Sequence, residues 1–337
     1  MKIFIYIILI ILCSSKIASS NFKLDNKNKK NNKHDKIITD TIINYNPNSI
    51  LSELPDEIDE NSGLIYYNKL LWTFNDSGGE PKIYAVDPSS GEIKSSYIVT
   101  NSTNVDWEAI AQDPSYIYIG DFGNNFGNRK DLKIYRIAKS DISASFNGKV
   151  SADIIEFSYI DQENFTIDNR NTKYDCEAMV YFNEKILIFT KDWKTRKTCI
   201  YSIPVEPGNY QAECVDSYNV DGLITGADMS PDRQYLALVG YKDYSPFIWI
   251  FTDFKNDKFF NGKKIRFELP SIYLAQTEGI VFITNDTLYF SCEKSFSINS
   301  DYLLRDVVFP PQVFIMPLNK WENIINPSIL NIKSKLN

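Results

Sequence analysis

Apolar and polar positions along the chain alternate in short blocks that predict β-strands joined by tight turns. Five blocks are dense in aromatic and β-branched residues, as expected for strands buried on both faces; they cover residues 70–74, 116–121, 186–191, 235–240 and 287–293. Each is followed by a block close to Ile-Tyr-x-Val, at residues 83–86, 134–137, 200–203, 248–251 and 313–316. No stretch keeps a helical period, so the pattern indicates an all-β chain.

A repeating unit underlies these blocks. Each copy opens with an acidic residue that runs into small and apolar residues, and the openers are Glu60, Glu108, Glu177, Asp228 and Glu278. A more polar fourth strand closes most copies, at residues 93–99, 154–160, 214–220 and 265–269. Four antiparallel strands in a unit of about fifty residues are typical of a propeller blade. The predicted fold is therefore a β-propeller of four-stranded blades, with five blades, or six if a degenerate blade lies in residues 37–60 or 295–337.

The last unit lacks a convincing fourth strand after Met316, whereas residues 37–45 (IITDTIINY) look like an unplaced strand. A closed ring has to protect the edge at its seam. We therefore expect residues 37–45 to complete the last blade.

The first residues have the pattern of an export signal. Residues 3–12 form an apolar run, too short for a membrane-spanning helix, and the small residues up to Ser20 suit a cleavage site. The sequence thus predicts a signal peptide at 1–20, a disordered tether rich in Lys and Asn at 21–36, and a propeller domain at 37–337. The expected location is secreted or periplasmic. Lipid attachment at Cys13 is the alternative.

Charge and histidine content exclude several classes of function. The chain carries 36 Lys and Arg against 43 Asp and Glu, a net charge of -7, which disfavours nucleic acid as a partner. Its one histidine, His34, lies in the predicted tether. The folded part therefore cannot build a Ser-His-Asp triad, a Cys-His pair or a histidine-ligated zinc site. We expect a monomer without a transmembrane segment in the mature chain, which binds an extracellular or envelope ligand.

Blade geometry predicts where the polar residues meet. In a four-stranded meander, the start of the inner strand and the end of the second strand lie at the same end of the ring. The openers Glu60, Glu108, Glu177, Asp228 and Glu278 are thus expected to surround the channel as metal ligands. The residues expected just outside them, as ligand-binding residues, are Asp76, Asp121, Asn124, Asn125, Lys191, Glu293 and Lys294.

Crowded carboxylates repel one another in a sheltered site unless some are protonated or cations neutralise them. A set of carboxylate and amide oxygens suits calcium, and magnesium less well. Calcium is therefore the expected cofactor. The alternative is structural, because each opener could instead accept backbone N–H groups from the neighbouring blade, a device that repeats tend to reuse.

Cys199 and Cys214 flank the turn at residues 206–209 almost symmetrically, so they could face each other on neighbouring strands. An exported protein permits the disulfide. Two buried free thiols are the alternative.

Several phrases of the sequence carry a resemblance to known proteins. They lie at residues 71–79 (LWTFNDSGG), 106–111 (DWEAIA), 119–125 (IGDFGNN) and 276–280 (QTEGI). Together they resemble a set of exported β-propeller proteins of Bacteroidota. More distantly, the inner strand is similar to that of the SdiA-regulated (YjiK-like) and phytase-like esterase propellers. The resemblance implies the fold and an exported location and hints at calcium, but it implies no reaction.

Three functions follow from these features. The first is an exported propeller whose rim binds calcium and a small or extracellular ligand. The second is a metal-dependent hydrolase of phosphoesters or lactones, in which Lys191, Lys294 or Arg129 would hold the anionic substrate. The third is a protein or glycan interaction module without metal, with contacts from the aromatic residues Trp107, Phe122, Trp193 and Tyr244, unless Trp107 and Phe122 pack between blades. The sequence assigns no catalytic residue.

Overall fold

The computed structural model describes residues 40–143, 147–298 and 305–325. The predicted signal peptide and tether, with Cys13 and His34, lie outside these residues. Within them, no helix is long and apolar enough to cross a membrane.

The first half of the described chain consists of short antiparallel strands. Two strands precede the first meander, β1 (Thr41–Asn44) and β2 (Asn48–Leu51). The first meander comprises β3 (Ile65–Tyr67), β4 (Leu70–Phe74), β5 (Lys82–Val86) and β6 (Ile93–Val99). The second comprises β7 (Trp107–Gln112), β8 (Tyr116–Asp121), β9 (Lys133–Ala138) and β11 (Asp153–Tyr159), with β10 (Gly148–Val150) in the connection before β11.

The second half continues the same plan. The third meander comprises β12 (Cys176–Phe182), β13 (Lys185–Thr190), β14 (Thr198–Pro204) and β15 (Gly208–Tyr218). The fourth comprises β16 (Leu223–Met229), β17 (Leu236–Lys242), β18 (Ser245–Thr252) and β19 (Lys263–Glu268). The fifth begins with β20 (Gln276–Thr284) and β21 (Thr287–Glu293) and continues with β24 (Gln312–Pro317), after a hairpin of β22 (Ser295–Ile298) and β23 (Arg305–Phe309).

Helical segments are short and lie at the ends of strands. Five single 3-10 turns occur among the described residues, at Asp56–Ile58, Lys139–Asp141, Phe259–Asn261, Pro270–Ile272 and Leu318–Trp321. The last of them runs into the short α-helix Glu322–Ile325.

The sheets pack face to face around a closed ring. The inner strands β3, β7, β12, β16 and β20 contact one another in that cyclic order, and β20 contacts β3. Apolar side chains fill the space between neighbouring sheets; for example, Phe74 of the first meander meets Trp107 of the second edge to face, with ring centroids 5.6 Å apart. This arrangement confirms the predicted all-β propeller of four-stranded blades. Whether the whole chain has five or six blades stays a prediction.

The seam of the ring differs from the expectation. Strand β2 pairs antiparallel with β24 and completes the fifth meander, while β1 pairs in parallel with β19 of the fourth. The prediction that residues 37–45 close the last blade was therefore wrong. The physical difference lies in burial, because Leu51 at the end of β2 is 6% exposed and belongs to the core, whereas Ile42 of β1 is 66% exposed.

Outer strands also pair between meanders. Strand β11 pairs in parallel with β15, with Ile155 opposite Gly208, and this joins the second and third meanders into one eight-stranded sheet. Strand β10 lies in parallel beside β6. These pairings cover edges that would otherwise present free backbone groups.

The cysteines behave as predicted. Cys199 and Cys214 form a disulfide between β14 and β15, with their Cα atoms 6.1 Å apart. Cys176 and Cys292 are free and buried.

Candidate metal centre

Irregularities at the start of the inner strands aim polar side chains into the channel. The register shifts between Trp107 and Ala109, and the same type of shift recurs in β12, β16 and β20. A β-bulge of this kind leaves a residue unpaired and redirects its side chain. The residues within the shifts that line the narrow end of the channel are Glu108, Glu177, Thr225 and Glu278, with Ser62 from the chain before β3.

One side of this end holds a buried ion pair. The Lys191 ammonium lies 2.5 Å from both carboxylate oxygens of Glu177, and it faces the rings of Trp193 and Tyr241 at 4.9 and 5.2 Å from their centroids. Burial, the largest single influence, disfavours the ammonium, but the combined effect of Glu177, Tyr241, Glu278 and Asp175 outweighs it and raises the pKa of Lys191 above its usual value. Lys191 thus compensates Glu177 and partly compensates Glu278, whose carboxyl pKa burial raises.

Three more carboxylates meet at this end, and none of them forms a direct ion pair with a lysine or arginine among the described residues. Asp76, Asp106 and Glu108 each place an oxygen within 4.8 Å of the others, close enough to share one metal ion. Burial raises the pKa of Asp76 to about 7, with a further contribution from Glu177. Burial and the neighbouring Asp76 likewise raise the pKa of Asp106 to about 7. The pKa of the Glu108 carboxyl is raised by the same two causes. We call these three residues the acidic triad.

Two further glutamates, Glu293 at the end of β21 and the opener Glu60, act on the acidic triad. Burial and the charge of Asp76 raise the pKa of Glu293, and Glu60 adds to this effect. The Glu60 side chain reaches solvent, but its carboxyl is partly desolvated by the surrounding protein. This desolvation and the charge of Asp59 raise its pKa. Both carboxylates therefore add negative potential at the same mouth.

Several residues expected to contact a ligand make hydrogen bonds within the loops of the mouth. Asp121 is fully buried and accepts hydrogen bonds from the Arg129 guanidinium at 2.9 Å and from the Asp106 backbone N–H at 3.1 Å. Arg129, a predicted substrate holder, also donates to Asp131 and to the Gly123 carbonyl. These bonds fix the loop that carries Asp106.

Asn124, Asn125 and Lys294 are likewise engaged within the protein. The Asn124 backbone N–H donates to the Asp175 carboxylate at 2.7 Å, and its side-chain oxygen accepts from the Arg129 N–H. The Asn125 carbonyl accepts from the Arg170 N–H. The Lys294 ammonium lies 3.7 Å from Asp59.

Asp228 does not belong to this mouth. It follows the bulge residue Thr225 by three positions and lines a different cavity, which we call the distal cavity and define by Tyr66, Gln112, Lys139, Tyr181, Asp228 and Arg233. Its Oδ2 accepts the backbone N–H of Phe282 on the neighbouring inner strand at 2.7 Å. The predicted ring of five openers was therefore wrong at Asp228. The alternative expected from the sequence, a carboxylate that bridges neighbouring blades, describes this residue.

Sequence reasoning missed Asp106 and Asp175. Asp106 completes the acidic triad, and Asp175 accepts hydrogen bonds from Asn124 N–H and from Trp193 Nε1 at 2.6 Å, so it ties the second meander to the third. The signal was present as an Asp-x-Glu spacing, at 106–108 and again at 175–177.

The aromatic residues that were expected to contact a partner differ in exposure. Trp107 and Phe122 are fully buried between sheets, as the structural alternative held, so they offer no surface to a partner. Tyr244 is 54% exposed.

No protein-family model and no curated protein matches this chain. Among solved structures, the PQQ-bound aldose sugar dehydrogenase from Streptomyces coelicolor aligns over 80% of this chain and 97% of its own, with 10% identity and a TM-score of 0.44. Kuenenia stuttgartiensis hydrazine synthase aligns over 81% and 80%, with 12% identity and a TM-score of 0.43. The Dos1 propeller aligns over 77% of this chain and 55% of its own, with 14% identity and a TM-score of 0.36. The resemblance to Bacteroidota proteins stays a prediction.

Proposed function

We propose that this protein is an exported calcium-binding propeller, whose acidic triad holds one divalent cation and presents it to an extracellular ligand. The observation that carries the proposal is the meeting of Asp76, Asp106 and Glu108 within 4.8 Å at a sheltered channel mouth. Their raised pKa values express the cost of gathering negative charge there. A bound cation would remove that cost, because its own charge dominates the local electrostatics.

The type of donor favours calcium. The triad supplies only carboxylate oxygens, and Glu293 and Glu60 add more acidic groups nearby. Calcium accepts six to eight oxygen ligands in irregular geometry, whereas magnesium demands a near-ideal octahedron. Extracellular calcium modules bind with dissociation constants of roughly 10⁻⁴ to 10⁻³ M, and we expect an affinity in this range.

Lys191 supports the position of the cation. Its ammonium is already paired with both carboxylate oxygens of Glu177. Glu177 therefore already has a counter-charge, and the place left for a metal ion is the acidic triad.

Isothermal titration of the chelator-treated protein with calcium tests the proposal. We expect one calcium ion per chain, and a loss of affinity of at least about 10-fold in Asp106→Asn, since a neutral amide replaces a charged ligand. Asp257→Asn, which changes an exposed aspartate elsewhere, should bind as the wild type does. Equal calcium affinity in Asp106→Asn and the wild type would reject the triad as the site.

Hydrolysis of phosphoesters or lactones, the alternative from the sequence, would need the same cation. Assays on both substrate classes with the calcium-loaded protein decide between an enzyme and a binding protein. Any activity that Asp106→Asn keeps at a calcium concentration too low to load that variant would have to arise elsewhere.

A further inference from the structure

The two ends of the channel differ in the space that they offer. The end near the acidic triad is lined by the beginnings of the inner strands and holds a cavity of about 10 Å³, which fits little more than one water-sized sphere. The distal cavity is lined by the ends of the same strands and measures about 360 Å³. Pockets for small molecules start at about 300 Å³. The distal cavity, not the narrow end, has room for a small organic ligand.

Every inner strand contributes to the distal cavity. Tyr66, Gln112, Tyr181, Asp228 and Phe282 come from β3, β7, β12, β16 and β20 in turn. These five residues stand on the closed ring of sheets, whereas Arg233 comes from the connection between β16 and β17 and Lys139 from a 3-10 turn. The two tyrosines supply partly buried ring surface, and Tyr181 is stacked against Tyr118 behind it, at an interplanar angle of 7°.

Two cationic groups border the distal cavity. The Arg233 guanidinium donates to Asn183 Oδ1 at 2.8 Å and lies over the Phe182 ring, so it is held in place while most of its N–H donors stay available. Lys139 is buried, and its ammonium donates to Gln112 Oε1 at 2.7 Å and to the Asp113 carbonyl at 2.6 Å. The ammonium also lies over the Tyr67 ring, 4.4 Å from its centroid, so Lys139 acts on a ligand chiefly through its positive charge.

Asp228 adds an acceptor to the lining of the same cavity. Its carboxylate receives the backbone N–H groups of Phe282 and Met229, and since each carboxylate oxygen has two lone pairs, it can still accept a hydroxyl from the cavity. Tyrosine rings, a carboxylate acceptor and an arginine fork together match a molecule that has a hydroxylated ring and an anionic group.

From this juxtaposition we propose that the distal cavity binds a small anionic sugar, whose phosphate or carboxylate pairs with Arg233 and Lys139 and whose hydroxyls reach Asp228. The planar guanidinium of Arg233 can form two parallel hydrogen bonds with a phosphate or with a carboxylate, so it can bind either kind of anionic group. The site is separate from the acidic triad and does not depend on calcium.

The test uses calorimetric titration of the whole chain with glucose 6-phosphate and with glucuronate, which distinguish the two sources of the anion. At least one of them should bind saturably, and glucose should bind about 10-fold more weakly or not at all, because it lacks the charge. Arg233→Gln and Asp228→Asn should each weaken that binding about 10-fold or more. The asparagine keeps an oxygen for the Phe282 N–H, and Arg233 is exposed, so both variants should fold.

Two matched variants separate this site from the calcium site. Lys149→Gln, at an exposed position of β10, and Asp106→Asn, in the acidic triad, should leave sugar binding unchanged. The proposal is overturned if neither probe binds saturably up to about 10 mM. A dissociation constant above that concentration corresponds to a binding free energy weaker than about 3 kcal/mol. It is equally overturned if Arg233→Gln and Asp228→Asn bind as the wild type does, or if Asp106→Asn abolishes binding.

Discussion

At the scale of single residues, the chemistry of the channel mouth follows from gathering carboxylates where water is scarce. The sequence could predict that Glu108, Glu177 and Glu278 converge with Lys191, because blade geometry sends inner-strand starts and second-strand ends to one rim. It could not predict the role of Asp228, because aligning the acidic residues of the repeats does not show which residue of each inner strand the β-bulge redirects. In β16 that residue is Thr225, and the carboxylate three positions later reaches the other end of the channel.

The raised pKa values make the calcium-free protein sensitive to pH. Asp76 and Asp106 have pKa values of about 7 in the fold against an ordinary 3.8, so between these limits the native state retains protons that the unfolded chain has released. Stability should therefore fall as pH rises from about 4 to 7, by up to about 1.4 kcal/mol per pH unit for each group. Urea unfolding in chelator at pH 5, 6 and 7 measures this. Asp106→Asn should show a shallower fall, and a wild-type stability that rises over this range would contradict the prediction.

At the scale of elements, the seam of the ring shows that a pattern of apolar residues can predict a strand but not which neighbour the strand pairs with. Residues 37–45 and 48–51 both look like strands, and only tertiary packing decides which of them completes the fifth meander. The pairing of β11 with β15 could not be predicted from the sequence, because the two strands belong to different meanders. The paired residues Ile155 and Gly208 are some fifty positions apart along the chain. The Cys199–Cys214 bridge was predictable because both cysteines flank one hairpin turn.

The closing strand should contribute strongly to stability. Leu51→Ala removes a buried side chain that packs in the cluster with Val313, so we expect a loss of about 2–4 kcal/mol in the free energy of unfolding. Ile42→Ala makes a comparable truncation at an exposed position of β1 and should cost less than about 0.5 kcal/mol in the free energy of unfolding. Denaturant unfolding of the two variants compares them directly. Similar losses in both would show that β2 does not close the ring.

The disulfide should matter through the unfolded state. It links residues 15 positions apart, and a loop of that size corresponds to about 3 kcal/mol of stabilisation. The double variant Cys199→Ser/Cys214→Ser should lose an amount of this order in denaturant unfolding. Reductant should lower the stability of the wild type and leave the double variant unchanged. A wild type that is insensitive to reductant would speak against the bridge.

At the scale of the whole molecule, a closed ring of sheets presents two ends of opposite character. The inner strands begin among carboxylates at the acidic triad, and they end among tyrosines and cations at the distal cavity. The fold class and the clustering of acidic residues at one mouth were accessible from the repeat. The division of polar side chains between the two ends was not, because it depends on which residues the bulges redirect.

The melting transition with and without calcium tests the central claim most directly. A ligand that binds only the folded state adds about 2.7 kcal/mol of stability at one hundred times its dissociation constant, so the melting temperature of the chelator-treated protein should rise clearly on adding calcium. Asp106→Asn should lose this rise, and Asp257→Asn should keep it. An unchanged melting temperature for the wild type, together with no metal by elemental analysis, would contradict the account and leave the acidic triad without a cation.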